Sequence, residues 1–81
     1  MVDLSFYPIS PQLETVELTI GGEPRRFEAP LTVSALIDQL SLAGRRIAVE
    51  LNGEIVPRSR FDTTLIASGD AMEIVTAVGG G

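Results

Sequence analysis

Two glycine-containing turns on either side of a single helical segment constrain this fold most strongly. Gly21-Gly22 separates two short apolar segments, and Asn52-Gly53 separates two more. Both dipeptides favour the tight turn of an antiparallel hairpin, and Asn-Gly is the strongest short signal for one. Apolar and polar residues alternate before each turn, as in half-buried strands. The predicted strands are residues 16–20, 25–29, 47–51, 54–56 and 72–78.

One helix is predicted between the two hairpins. Its apolar residues recur at i, i+3, i+4 and i+7, the spacing of one helix face; they are Val33, Leu36, Ile37 and Leu40. Thr32 is the predicted N-cap, and Gly44 is the predicted end of the helix. The order ββαβββ implies an α+β fold, a single sheet with one helix packed across it.

The helix and the sheet are expected to enclose one apolar core. Its predicted members are Leu18, Leu36, Ile37, Val49 and Ile74. The connection over residues 58–68 is expected to add buried anchors at Phe61, Leu65 and Ile66.

With 81 residues the chain has room for one domain. Residues 16–78 are the predicted domain, and residues 79–81 are a flexible glycine tail. Residues 1–15 form an N-terminal extension in which Pro8 and Pro11 disfavour regular structure. This extension is either flexible or an arm that docks its aromatic side chains.

The composition excludes several kinds of function. The chain has no histidine, cysteine or lysine, and six arginines face eleven acidic residues, for a net charge of −5. It therefore has no imidazole base, thiolate nucleophile, soft metal site or disulfide. An acidic chain is a poor binder of nucleic acid, and no segment is apolar enough to span a membrane. We expect a cytoplasmic protein that is monomeric when free, with no catalytic residue, bound metal or bound cofactor. The arginine pairs are interpreted as rim contacts or solvated charges.

The C-terminus is the one reactive group that this chain offers to another protein. Gly79 and Gly80 lead to Gly81, whose free α-carboxylate follows the last predicted strand. Glycine has no Cβ, so such a tail can pass through a narrow channel, and three residues reach about 10 Å. Within a partner's active site, the carboxylate could attack the α-phosphorus of ATP. The alternative is a frayed end without function.

The last strand also predicts a docking surface. Period-two alternation places Met72, Ile74 and Thr76 on one face of the sheet. Opposite them lie Glu73, Val75 and Ala77. The expected patch for partner docking comprises Val75, Ala77, Val78, Glu73 and Ala48. Glu50 and Glu73 are expected to face basic groups on the partner.

In order and spacing, several segments together resemble the ThiS family of ubiquitin-like sulfur carriers. They are Thr32-Val33 with Leu36-Ile37, the stretch Asn52 to Arg58, Gly69-Asp70 followed by Glu73 to Val75, and the terminal Val78 to Gly81. The similarity extends from Val16 to Gly81. It implies a β-grasp fold, a mixed sheet of about five strands whose first and last strands lie side by side and parallel in the middle.

The resemblance also implies a function. A ThiF-type enzyme would use ATP to adenylate the Gly81 carboxylate, and a sulfur-donating enzyme would convert it to a thiocarboxylate. Thiazole synthase would then take the sulfur for the thiazole of thiamine. Three alternatives are the small carrier subunit of molybdopterin synthase, a protein modifier joined through Gly81 to target lysines, and an interaction module whose tail has no role.

Overall fold

The computed structural model describes residues 14–76, which form a five-stranded mixed sheet crossed by one helix. In chain order the elements are β1 Thr15–Ile20, β2 Glu23–Glu28, β3 Leu31–Thr32, α1 Val33–Gln39, β4 Ile47–Leu51, β5 Glu54–Val56, a 3₁₀ turn Arg58–Arg60, β6 Leu65–Ile66 and β7 Ala71–Thr76. The large sheet has the order β2-β1-β7-β4-β5, and β3 pairs with β6 in a separate two-stranded sheet. The expected β-grasp fold is confirmed.

Both predicted hairpins are present, and their turns explain the choice of residues. Gly21 and Gly22 have φ values of 60° and 85°, and Asn52 and Gly53 have φ values of 52° and 85°. Two consecutive residues with positive φ make a turn whose twist matches that of the flanking strands. Glycine and asparagine adopt this conformation most easily, so the sequence signal and the geometry agree.

The first and last strands meet at the centre of the sheet. β1 runs parallel to β7, with Thr19 opposite Ala71 and Ile20 opposite Met72. On its other side β7 pairs antiparallel with the whole of β4. β7 is thus the central strand, as the resemblance implies, and it carries the chain directly towards the C-terminus.

The helix begins where the sequence predicts and ends earlier. The Thr32 hydroxyl oxygen accepts a hydrogen bond from the Ala35 N–H at 3.0 Å, which confirms the N-cap. The prediction that Gly44 ends the helix is wrong, because Ser41 takes the left-handed conformation at φ 61°. The Leu42 N–H then donates to Ile37 at 2.9 Å and the Ser41 N–H donates to Asp38 at 3.0 Å. These two bonds form the Schellman motif that closes a helix C-terminus.

The core lies between the helix and one face of the sheet. Its buried members are Val16, Leu18, Leu31, Val33, Leu36, Ile37, Val49, Val56, Phe61, Ile66 and Met72. Ile74 is half-buried and packs against this cluster, so the predicted set of core residues is brought together. Leu65 is a correction, because its side chain is 63% exposed. It is next to Ile66 in β6, and adjacent strand residues point to opposite faces.

Residues 1–13 and 77–81 lie outside the described residues. The predicted boundaries of the N-terminal extension and of the glycine tail therefore remain predictions. Within residues 14–76, no helix is long and apolar enough to cross a membrane.

Candidate partner-docking site

The expected reactive end lies outside the described residues, and the structure shows the strand that leads to it. Ala77, Val78, Gly79, Gly80 and Gly81 follow the last described residue, Thr76. β7 therefore fixes the position and the direction of the last described residues of the chain.

Alternation along β7 separates a buried face from an open face, as predicted. Met72 is fully buried and Ile74 half-buried beneath the helix, whereas Val75 is 64% exposed on the open face. Ala71 and Glu73 are also exposed on that face. Val75 is a large aliphatic side chain in contact with water beside the exit of the tail.

The partner strand brings the other predicted docking residues into register with Val75. Ala48 lies directly opposite Val75 across the β4–β7 ladder, and Glu50 lies directly opposite Glu73. The structure therefore groups three of the five predicted docking residues on one face. Ala77 and Val78 are not described.

The sequence analysis did not include Ile55 of β5 in this surface. Ile55 is 65% exposed and lies opposite Glu50. The sequence did contain a signal for Ile55. It precedes Val56 in a hairpin strand, and alternation along that strand places the two side chains on opposite faces.

The charges on the open face differ between its two halves. On the β1–β2 side, Glu17 lies opposite Arg26, and the two form an ion pair in which the Arg26 Nε–H donates to Glu17 at 2.9 Å. On the β4–β7 side, Glu50 and Glu73 are two negative charges directly opposite each other. Like charges in this position are destabilising. A basic group supplied by a partner would relieve this repulsion.

Two arginines border the same patch. A shallow groove of about 280 Å³ is lined by Arg46, Ile47, Ala48, Arg58 and Val75. The Arg58 guanidinium lies over the Phe61 ring at 5.8 Å from its centroid and donates to the Arg45 carbonyl at 3.3 Å. These contacts orient the charge of Arg58. Of the three arginine pairs, two supply one member each to this groove, Arg46 and Arg58. Whether the pairs are rim contacts or solvated charges stays a prediction.

Within residues 14–76 there is no group of three or more acidic, histidine or cysteine side chains that could hold a metal ion. No buried side-chain nitrogen or oxygen in the described part of the chain lacks a hydrogen-bond partner. What the site offers is an apolar centre, Ala48 and Val75, with acidic and basic groups at its border.

Comparison with known proteins gives a consistent set of similarities. The sequence model of the ThiS family matches residues 14–81. The crystal structure of a thiamine biosynthesis protein (ThiS) from Geobacter metallireducens superposes with a TM-score of 0.69 at 38% identity, over 82% of this chain and 100% of that chain. Its solution NMR structure superposes with a TM-score of 0.68.

Two further relatives differ in length. A thiazole synthase of Paramagnetospirillum magneticum is 46% identical over 66 residues, which are 82% of this chain and 20% of that protein. The ycf40 protein of Porphyra purpurea, which is uncharacterized, is 37% identical over 68 residues, 84% of this chain and 96% of that protein. The chain thus spans about a fifth of the thiazole synthase and nearly all of the ycf40 protein.

Proposed function

The chain belongs to the ThiS family of sulfur carriers in thiamine biosynthesis, and we propose that it carries sulfur as a thiocarboxylate at Gly81. The family match through residue 81 is the observation that carries this proposal. Its support in the structure is the central strand β7, which directs the chain towards that end beside an exposed apolar patch.

The proposed chemistry takes place in the active sites of partner enzymes. A carboxylate oxygen of Gly81 bonds to the α-phosphorus of ATP in a ThiF-type adenylating enzyme, and pyrophosphate leaves. Sulfide released by a sulfur-donating enzyme then attacks the acyl carbon, and the bond from that carbon to the phosphate oxygen breaks as AMP leaves. The terminal carbonyl now carries sulfur in place of one oxygen. The carrier supplies the substrate end, and ATP is the adenylating partner's substrate.

Thiazole synthase is the proposed acceptor of the sulfur. The thiazole synthase of Paramagnetospirillum magneticum contains a segment similar to this chain that makes up 20% of that protein. A carrier domain joined to a synthase keeps the two at high effective concentration, which favours transfer between them. We propose that the carrier described here meets its synthase through the patch around Val75 and Ala48.

The docking surface of such a partner should be mixed in charge. Apolar side chains would cover Val75 and Ala48, basic groups would face Glu50 and Glu73, and acidic groups would face Arg46 and Arg58. Complementary charges of this kind increase the association rate and fix the orientation of the complex more than they increase affinity.

Mass spectrometry of the protein isolated from thiamine-starved cells tests the function. Replacement of one terminal oxygen by sulfur increases the mass by about 16 Da. A C-terminal peptide with this increase supports the carrier. Conjugates to lysines of other proteins would instead identify a modifier, and an unchanged terminus under thiamine starvation would contradict the proposal.

A further inference from the structure

The outer half of the central strand β7 has an open backbone edge. β1 accompanies β7 for two residue pairs only, Thr19 with Ala71 and Ile20 with Met72. The Gly21 N–H donates to the Met72 carbonyl at 2.9 Å, and the chain then turns back into β2. From residue 73 onwards, β7 extends past the end of β1.

The direction of each backbone group follows from the ladder on the other side. The Asn52 N–H donates to the Ala71 carbonyl at 2.7 Å, so residue 71 directs its backbone groups towards β4. Hydrogen-bonded and non-hydrogen-bonded pairs alternate in an antiparallel ladder, so residues 73 and 75 also face β4. The N–H and C=O groups of Ile74 and Thr76 point the opposite way, towards the side that β1 has left.

Nothing in the described part of the chain occupies this edge. No hydrogen bond among residues 14–76 reaches the backbone of Ile74 or Thr76 from the side of β1. Thr76 is exposed, and the Ile74 side chain is only half-buried. Neither residue is charged or a proline, the usual protections of a strand edge. Two N–H donors and two C=O acceptors thus stand in a row beside the exit of the tail.

We propose that an extended segment of the adenylating enzyme adds to this edge as a strand, parallel or antiparallel, and pairs with Ile74 and Thr76. This proposal rests on the proposed function. Strand addition provides main-chain hydrogen bonds, and the side chains on one face of the added strand provide specificity. On the helix side of the sheet, the added segment presents an apolar residue that covers the exposed part of Ile74.

The chemistry gives a reason for fixing the backbone at this place. Adenylation requires the terminal carboxylate to meet the α-phosphorus within a few tenths of an ångström, and a shift of one residue displaces it by about 3.5 Å. Pairing at residues 74 and 76 sets the register of β7 against the enzyme immediately before the tail begins. The added strand therefore acts in positioning the reactive end.

Amide hydrogen exchange tests the proposal residue by residue. In the free carrier, the Glu73 and Val75 amides should exchange slowly because they bond to β4, and the Ile74 and Thr76 amides should exchange rapidly. Saturation with the adenylating enzyme, without ATP, should slow Ile74 and Thr76 by about tenfold or more. Slow exchange at both residues in the free carrier would show an edge that is already covered and would overturn the proposal.

A pair of variants separates the backbone donor from the side chain. Thr76→Pro removes the N–H that faces the open edge and leaves the β4 ladder intact, as proline on a strand edge can. Thr76→Val keeps the N–H and changes only the side chain. We expect Thr76→Pro to weaken binding of the adenylating enzyme by about tenfold and Thr76→Val by less than twofold. A melting curve of each variant verifies the fold.

Calorimetric titration of the wild-type carrier, run beside these measurements, distinguishes two kinds of failure. Absence of binding to the adenylating enzyme overturns the proposed function together with this inference. Binding without added protection at Ile74 and Thr76 overturns the strand addition alone. Protection that appears only with thiazole synthase also overturns it, because the occupant is then a different partner.

Discussion

The two ends of the central strand are built in opposite ways. At its start, which we call the turn end, Asn52 donates to Asp70 at 3.0 Å and accepts from the Ala71 N–H at 2.9 Å. The second oxygen of Asp70 accepts from the Ala67 N–H at 2.8 Å. At the other end, the tail end, Val75 is 64% exposed, and two backbone positions have no partner within residues 14–76.

The turn end contains groups that stabilise the domain, whereas the tail end contains exposed groups that are available for binding. Side chains of the turn end form hydrogen bonds with one another and with the backbone. Substitutions there should therefore change the free energy of unfolding. Groups of the tail end have few internal contacts, so substitutions there should change binding and sulfur transfer. Under the proposed function, a partner covers the exposed apolar residue and the open hydrogen-bonding groups at this end.

Deletion of Gly81 should have the largest effect and should act only on the tail end. The new terminal carboxylate is withdrawn by about 3.5 Å from the reacting phosphorus, so we expect no thiocarboxylate to form. Extension of the chain by one alanine should have the same result. Mass spectrometry after reconstitution measures transfer, and both variants should melt like the wild type. Normal transfer by either variant would contradict a fixed register.

Val75→Asp should weaken the binding of both proposed partner enzymes by ~30-fold, equal to ~2 kcal/mol, because it removes an apolar contact and adds a negative charge near Glu73. Leu65→Asp is a matched control, since Leu65 is 63% exposed and lies in the separate small sheet. Calorimetric titration measures both. Equal losses in the two variants would remove the patch from the docking surface, and a collapsed melting curve for Val75→Asp would mean that the faces of β7 are wrongly assigned.

Asp70→Ala should destabilise the domain and leave binding unchanged. The variant loses the hydrogen bonds from Asn52 and from the Ala67 N–H, which together contribute about 1–3 kcal/mol. Urea unfolding measures this loss. Asp62→Ala serves as the control, because Asp62 is exposed and makes no side-chain hydrogen bond within residues 14–76. If Asp70→Ala also weakens partner binding, the two ends of β7 are coupled. That result would contradict the division between a stabilising end and a binding end.

Arg58→Glu should have the smallest effect, on the rate of association. Arg58 lies over Phe61 at 5.8 Å in the docking groove, and Arg25 lies over Phe27 at 5.9 Å on the far edge strand β2. The two glutamate variants therefore change the charge equally at different places. We expect Arg58→Glu to slow association about threefold at low salt, Arg25→Glu to have little effect, and the difference to shrink at ~1 M salt. Equal slowing would indicate only a response to net charge.

Local sequence patterns predicted the large sheet because its strands alternate and its turns contain glycine or asparagine at positive φ. They missed β3 and β6, since two residues are too few to show a period. They also failed at Leu65 and at Gly44. Leu65 and Ile66 are both apolar, so the sequence does not reveal which of the two side chains is buried. At the end of the helix, Ser41 adopts the left-handed conformation that glycine usually adopts.

The residues on the open face of β7 were predictable because period two divides one strand into two faces. The groove formed by Arg46 and Arg58 was not, since it joins residues from β4 and from the turn after β5. The open edge was equally hidden. It depends on the register of β1 against β7, which is set by packing between segments that are distant in the sequence.

The parallel pairing of β1 with β7 has a consequence for synthesis of the chain. Among the strands of residues 14–76, the central strand is synthesised last. A nascent chain that ends after β6 therefore has two hairpins and a helix but lacks the strand that joins them. Non-local pairing of this kind is formed late in folding. A chain that stops before residue 71 therefore lacks both the middle of its sheet and its tail. Under the proposed function, folding and the ability to receive sulfur both depend on the residues from 71 onwards, so we expect prematurely terminated chains to be removed by proteases rather than to compete for the partner enzymes.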